Sequence, residues 1–120
     1  MNVRLDAGAV LDLSSVPIGN IAFNALEVDC AGAGTITRFR PAATGVLKVV
    51  TDAASRADDG SGELKKIVTL PLTLTETADI DRLANWTVEV DGKPVSNATV
   101  SLVDGKLQVR LRKGLCILIR

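Results

Sequence analysis

The last third of the chain constrains its fold most, because apolar and polar residues alternate along it with a period of two. In one clear run, Leu107, Val109 and Leu111 alternate with polar residues, and the earlier runs after Trp86 follow the same rule. Side chains along a strand point to opposite faces in turn, so each run predicts a strand with one buried and one solvated face. We therefore expect the Val, Leu and Ile residues of this region to line a common core.

Two Asp-Gly pairs, Asp91-Gly92 and Asp104-Gly105, interrupt the alternation. Glycine accepts a positive φ without a Cβ clash, and aspartate tolerates it better than most residues. Asp-Gly between two alternating runs is a strong hairpin signal. The pattern therefore predicts antiparallel pairing in the C-terminal part of the chain.

Length and composition extend this interpretation to the whole chain. At 120 residues it is long enough for one domain, residues 1–120, with a real core. Apolar residues make up 47% and aromatic residues only 2%, so the core must be aliphatic. We predict an all-β fold, a mainly antiparallel β-sandwich or β-roll with one short helix over residues 77–85. The alternative is a short β-solenoid with an antiparallel cap.

A repeated four-residue pattern is the basis of the solenoid alternative. Ala25–Val28, Val46–Val49 and Ile67–Leu70 each read apolar, apolar, polar, apolar and start 21 residues apart. Related segments start at residues 87 and 106, which continues the spacing at 20 and 19. Such a period is typical of a solenoid coil, but short strands with their turns recur at similar spacing in a sandwich. The Asp-Gly hairpins favour the sandwich in the C-terminal half, because a solenoid needs parallel neighbours.

Proline at position 71 adds a constraint on the strand expected over residues 64–75. Proline has no N–H and cannot donate to a sheet ladder. We expect this strand to lie at an edge, or Pro71 to face a side where no partner strand needs a donor.

Several short motifs resemble a known class of proteins. Gly34–Phe39 (GTITRF), followed by Gly45–Val49 (GVLKV), resembles the coils of bacterial autotransporter-type passenger regions and related extracellular β-helix proteins. Ala9–Leu13 is similar to the strand that often precedes such coils, and Asn85–Lys93 and Cys116–Arg120 resemble the C-terminal ends of such proteins. The resemblance implies an extracellular structural or adhesive module and transfers no catalytic residue.

Charge and hydropathy argue against two classes of partner. The formal net charge is zero with no long basic run, which argues against nucleic acid. No apolar stretch reaches the length of a membrane span, and no secretory signal follows Met1. We expect an extracellular or cell-surface location as part of a longer exported chain, and a cytoplasmic location if the chain is complete.

The residue types argue against catalysis. The chain has no histidine, which excludes Ser-His and Cys-His mechanisms and histidine-bearing metal sites. Asp79 and Asp81 are the candidate carboxylates of a small hydrolase, although acids in the first turn of a helix explain them without catalysis. The oxygen-rich stretch Asp58–Glu63 lacks the spacing of a calcium loop. We predict no enzyme activity, no cofactor and no metal site.

Two cysteines and one tryptophan are the remaining residues of special chemistry. Cys30 and Cys116 are most simply read as free thiols, and a disulfide joining the first half to the last strand is the alternative. Trp86 is a candidate ligand-binding residue, because an exposed indole can stack on a sugar ring. The competing interpretation is that Trp86 plugs the end of a sheet.

The last candidate site is an assembly strand that is apolar on both faces. It consists of Leu115, Cys116, Ile117, Leu118 and Ile119. Such a run fits a central strand or one at an oligomer interface. We predict a non-enzymatic structural, assembly or adhesion-associated domain of a larger bacterial surface protein, whose partner is protein through self-association or the parent chain. A carbohydrate-binding module is the alternative, and a small hydrolase is the least favoured reading.

Overall fold

The computed structural model of the protein describes residues 1–57 and 64–111. The described residues form ten strands in two five-stranded sheets. The strands are β1 (Asn2–Leu5), β2 (Val10–Leu11), β3 (Phe23–Asp29), β4 (Gly34–Ile36), β5 (Pro41–Val50), β6 (Ile67–Leu74), β7 (Trp86–Val90), β8 (Lys93–Val95), β9 (Ala98–Val103) and β10 (Lys106–Leu111). Two 3-10 helices cover Ile18–Asn20 and Ile80–Asn85.

Up to β7 the chain alternates between the two sheets, as in a solenoid. The first sheet has the order β1-β3-β5-β7-β8, and the second has the order β2-β4-β6-β10-β9. β1, β3, β5 and β7 pair in parallel, and so do β2, β4 and β6. Parallel neighbours need a long connection, which here is the passage through the opposite sheet and back.

Antiparallel pairing is confined to the C-terminal part. β8 folds back on β7, and β10 lies antiparallel between β6 and β9. Both Asp-Gly turns are hairpins with positive φ, at 50° and 85° for Asp91-Gly92 and 51° and 77° for Asp104-Gly105. The all-β prediction is therefore confirmed. The sheets are mixed: the hairpin region is antiparallel as expected, and the upstream region has the parallel pairing of the solenoid alternative.

The four-residue repeat marks the coils. Ala25, Val46 and Thr87, the first residues of three repeat copies, are direct neighbours across β3, β5 and β7. The copies that start at Ile67 and Lys106 lie in the second sheet as antiparallel neighbours. The repeat therefore predicts the register of the strands correctly within the first sheet. The other two copies are strands of the second sheet.

Aliphatic side chains stack in register along the inside of the first sheet. Leu26, Leu47 and Val88 occupy adjacent rungs and are 0%, 0% and 1% exposed. Leu70 and Leu107 of the second sheet are equally buried in the same core. Burying each such side chain contributes about 1.5–3 kcal/mol, so this stack is the main source of stability.

The polar positions of the repeat copies in the first sheet, together with Arg4 of β1, form a row of alternating charge on the outer face. Arg4, Glu27, Lys48 and Glu89 are consecutive cross-strand neighbours from β1 to β7. Arg4 Nε lies 3.2 Å from a carboxylate oxygen of Glu27. Opposite charges on adjacent strands stabilise a pairing, and like charges disfavour it. The row therefore supports the parallel register.

The helix expected over residues 77–85 is present in shortened form. It is a 3-10 helix over Ile80–Asn85, and it buries Leu83 in the core. Thr77 does not cap it, since Thr77 instead bridges Phe39 of the preceding coil. Asp79, in the left-handed conformation at φ 52°, precedes the helix.

Pro71 lies where no partner strand needs its missing donor, as predicted. The ladder between β4 and β6 covers only Leu72–Leu74 on the β6 side. On the other side, the pairing with β10 shifts register between Thr69 and Thr73. Pro71 therefore lies outside the β4–β6 ladder and within the irregular part of the β6–β10 pairing.

Gly45 is required by the close approach of Trp86. A Cβ at this position would lie 2.5 Å from Cε2 of Trp86 and 2.7 Å from the carbonyl oxygen of Asn24. We predict that Gly45→Ala lowers the free energy of unfolding by about 2 kcal/mol or more, because the indole and strand must shift to admit the methyl group. Urea unfolding followed by Trp86 fluorescence measures this change.

Gly19→Ala is the matched control, because a Cβ there meets nothing within 4 Å. It should leave the unfolding midpoint nearly unchanged. Equal midpoints for Gly45→Ala and the wild type would contradict the packing described for Trp86.

Candidate functional site

Trp86 is buried, with 4% of its surface exposed. Its Nε1 donates to the carbonyl oxygen of Ala42 at 3.1 Å, and its ring lies edge-on to Phe39 at 6.4 Å between centroids. Phe39 in turn packs on Phe23 at 5.0 Å. The indole is not available to stack on a sugar ring, so the carbohydrate-binding alternative loses the residue on which it depended.

The structure places the two candidate hydrolase carboxylates, Asp79 and Asp81, at the start of the second 3-10 helix. Asp79 accepts a hydrogen bond from Nε of Arg40 at 2.7 Å, and this bond holds the pKa of Asp79 below its usual value. A general acid at neutral pH needs a raised pKa, so Asp79 is unsuited to that role. Asp81 is exposed in the first turn of the 3-10 helix.

Arg38 and Arg40 connect three consecutive coils at one corner of the solenoid. Arg38 donates to the carbonyl oxygen of Val16 at 2.7 Å and to the carboxylate of Glu76 at 3.2 Å. Arg40 binds Asp79 and also donates to the carbonyl oxygen of Ile21 at 2.9 Å. In the sequence this corner appears only as two arginines on either side of Phe39. Composition does not show that the Phe39 side chain is buried or that the two arginines bind neighbouring coils.

A second polar cluster joins the end of β5 to the β7–β8 hairpin. Asp91 accepts hydrogen bonds from Thr51 N at 2.9 Å and from Thr51 Oγ1 at 2.6 Å, and Nε of Arg56 donates to the same hydroxyl at 3.0 Å. These hydrogen bonds lower the pKa of Asp91, because they favour its charged form. The cluster is structural, since its polar atoms are used within the fold.

Cys30 is half-buried, and burial raises the pKa of its thiol. A raised pKa reduces the thiolate fraction, so Cys30 is a poor nucleophile. Cys116 and the run Leu115–Ile119 lie outside the described residues, as does the loop at Asp58 and Asp59. Residues 1–57 and 64–111 contain no group of three or more Cys, Asp or Glu side chains placed to hold a metal ion.

The first coil leaves both of its strands at sheet edges. β1 and β2 begin the two sheets, and no described strand lies beyond them. The carbonyl oxygens of Ala9 and Leu11 accept from Thr35 N in β4 and from Thr37 N just after it, and alternate residues of a strand turn their main-chain groups to opposite sides. The N–H and C=O of Val10 therefore point away from the fold, and by the same rule so do those of Asn2 and Arg4.

Apolar side chains accompany these open edges. Val10 is 69% exposed and Met1 is 42% exposed. Several other apolar residues of the first coil are only partly buried, whereas the inward residues of β3 and β5 are covered. They are Val3, Ala9, Leu11, Leu13, Val16 and Ile18.

The opposite end of the solenoid is formed by antiparallel hairpins. The last strands there are β8 and β9, and β8 carries Lys93 and Pro94. Lysine and proline on an edge strand discourage further pairing. The candidate interaction site is therefore the open coil, defined as residues 1–18 with strands β1 and β2.

Comparison of the chain with family models, with curated proteins and with solved structures found no match. Within the part of the chain that the structure describes, no helix has the length and apolar character needed to cross a membrane.

Removing the hydroxyl at Thr51 tests the cluster around Asp91. We predict that Thr51→Val lowers the free energy of unfolding by about 1 kcal/mol at pH 7, because Asp91 and Arg56 lose their shared partner. The folded-state pKa of Asp91 is lowered, so this stabilisation is present above the unfolded pKa of about 3.9 and is lost as the pH falls through the folded value. Urea unfolding at pH 7 and below pH 3 measures both effects.

Thr87→Val is the control, because Thr87 is exposed on the outer face of β7. It should change stability little at either pH. A Thr51→Val penalty that is the same at both pH values would contradict the role of the Asp91 charge.

Proposed function

We propose that this protein is a non-enzymatic structural and assembly domain that associates through its open coil. The observation that carries the proposal is that the outer edges of β1 and β2, at one end of the solenoid, are covered by no described strand. Exposed strand edges bind other strands by main-chain hydrogen bonds. The function of the domain is therefore to extend its two sheets into a neighbouring molecule.

Burial supports the same conclusion. A solenoid buries each coil against its neighbours, so an end coil needs a cap. Here the C-terminal end has its antiparallel hairpins, while the first coil keeps Val10 and Met1 exposed. An assembled end would cover these residues and satisfy the outward main-chain groups.

A second copy of this chain is the partner we propose. Two open coils meeting end to end form a two-fold contact, in which each copy offers the same pair of edges. Such an arrangement extends both sheets at once.

The location at a bacterial cell surface, within a larger protein, is supported by the resemblance of Gly34–Phe39 and Gly45–Val49 to coils of extracellular β-helix proteins. A structural role agrees with the absence of histidine from the sequence and with the use of Asp79 as a corner contact.

Association through the open coil can be measured by native mass spectrometry and light scattering over a range of concentrations. We predict a concentration-dependent dimer whose dissociation constant rises at least about tenfold in Val10→Lys, because lysine at an exposed edge opposes strand pairing and the two-fold contact places two lysines together. Val10 is exposed, so the fold should tolerate the change.

Val103→Lys is the matched control, because Val103 is an exposed valine, 40% accessible, in the strand at the other end of the second sheet. It should leave the dimer unchanged. A wild-type chain that stays monomeric at millimolar concentration, or a dimer weakened by Val103→Lys and not by Val10→Lys, would overturn the proposal.

A further inference from the structure

A groove of about 300 Å³ runs along the first half of β6. One wall is formed by Cys30 and by the loop that contains Asp52 and Ser55, and the other by outward residues of β6 that include Ile67 and Pro71. Ile67 is 49% exposed, which is unusual among the large apolar residues of this protein. The residues that line the groove are not part of the open coil, and the groove has no role in the assembly proposed above.

The groove exists because β4 is shorter than β6. The β4 ladder reaches back only to Leu72, so no described strand pairs with the preceding residues of β6 on that side. Lys66 O accepts from Leu111 N of β10, and Leu74 N donates to the carbonyl oxygen of Gly105 just before β10, which places the main-chain groups of even-numbered residues on the β10 side. The main-chain groups of Ile67 and Thr69 therefore face the groove, and Pro71 ends this free edge.

The described chain ends beside the start of β6, on the side of this strand opposite the groove. Leu111 N donates to Lys66 O at 2.8 Å, one residue before β6 begins. Nine residues follow, 112–120, with the sequence RKGLCILIR. Crossing from the β10 position to the far side of β6 spans two strand spacings, about 10 Å, which three extended residues can bridge. Residues 112–114, which include Gly114, supply that length.

The remaining residues match the groove in chemistry. Leu115–Ile119 is apolar on both faces, as suits a strand covered on both sides. The groove offers a free strand edge, an exposed isoleucine and the half-buried Cys30. The thiol of Cys116 would then be in reach of Cys30.

We propose that the groove beside β6 is the docking site of the chain's own C-terminal segment, residues 112–120, which adds a strand to the free edge of Ile67–Pro71 and brings Cys116 against Cys30. This inference goes beyond the open-coil assembly and is independent of it. The segment predicted from sequence to be an assembly strand is here assigned to an intramolecular site.

Crosslinking the two native cysteines tests the docking. The reduced full-length chain is treated with diamide at pH 8, quenched with N-ethylmaleimide at intervals, and weighed by mass spectrometry. The two thiols lose two protons and two electrons as the S–S bond forms, and the azo group of diamide takes them up to become a hydrazine. We expect an intramolecular Cys30–Cys116 disulfide.

A variant that carries the second cysteine at another position provides the control. Ser96 is exposed and lies two residues before Ala98, which pairs with Leu111, so Ser96 is close to the start of the tail and within reach of an undocked one. We expect the native pair to crosslink at least about tenfold faster than Cys116 does in the Cys30→Ser, Ser96→Cys variant, since docking raises the effective concentration. Burial raises the pKa of the Cys30 thiol, which lowers its thiolate fraction and slows disulfide formation. This effect opposes the expected rate difference and therefore does not cause it. Equal rates, or intermolecular disulfides alone, would overturn the proposal.

Hydrogen exchange gives a readout that needs no cysteine. The amides of residues 112–120 should be protected in the wild type and in Val103→Lys, and should exchange at least about tenfold faster in Ile67→Lys, which places a charge in the groove. Exchange of this segment at the unprotected rate in the wild type would overturn the docking.

Discussion

The in-register stack of aliphatic side chains between the two sheets holds this structure together. Leu26, Leu47 and Val88 form its clearest column, with Leu70 and Leu107 facing them from the second sheet. With only three aromatic residues in the chain, no single large side chain organises the core. Each coil is stable because its neighbours cover it, and this dependence decides the properties of the two ends.

The two ends of the solenoid differ in how their last coil is covered. At the C-terminal end the chain reverses at Asp91-Gly92 and Asp104-Gly105, and both sheets end in antiparallel hairpins. At the other end β1 and β2 stop with outward main-chain groups and partly exposed apolar residues. The polar contacts follow the same logic, since Arg38 and Arg40 bind coils on both sides of their own. The interaction that we propose at the uncovered coil follows from this difference between the two ends.

Much of the fold could be predicted from the sequence because buried residues recur at every second position along a strand. The alternation in β9 and β10, both Asp-Gly turns and the position of Pro71 were predicted on physical grounds and are confirmed. The alternation alone does not distinguish a sandwich from a solenoid. Longer connections at residues 51–66 and 75–85 help to lengthen the step between aligned residues from 21 (Ala25 to Val46) to 41 (Val46 to Thr87), so the strands of the first sheet do not recur with a constant period.

Other features depend on contacts that no local pattern reports. The fit of Trp86 against Gly45 is visible only once β5 and β7 are known to be neighbours, and it reverses the interpretation of Trp86 as a binding residue. The open coil and the groove beside β6 likewise arise from strand order and from the short length of β4. One sequence signal would have helped: the alternating charges of Arg4, Glu27, Lys48 and Glu89 match neighbouring parallel strands.

The parallel register of β3, β5 and β7 is the central claim, and nuclear Overhauser contacts in solution test it most directly. The account predicts main-chain contacts joining Leu26 to Leu47 and Leu47 to Val88, two pairs separated by 21 and 41 residues. Contacts that instead pair β3 with β4, or β5 with β6, as antiparallel neighbours in one sheet would contradict it.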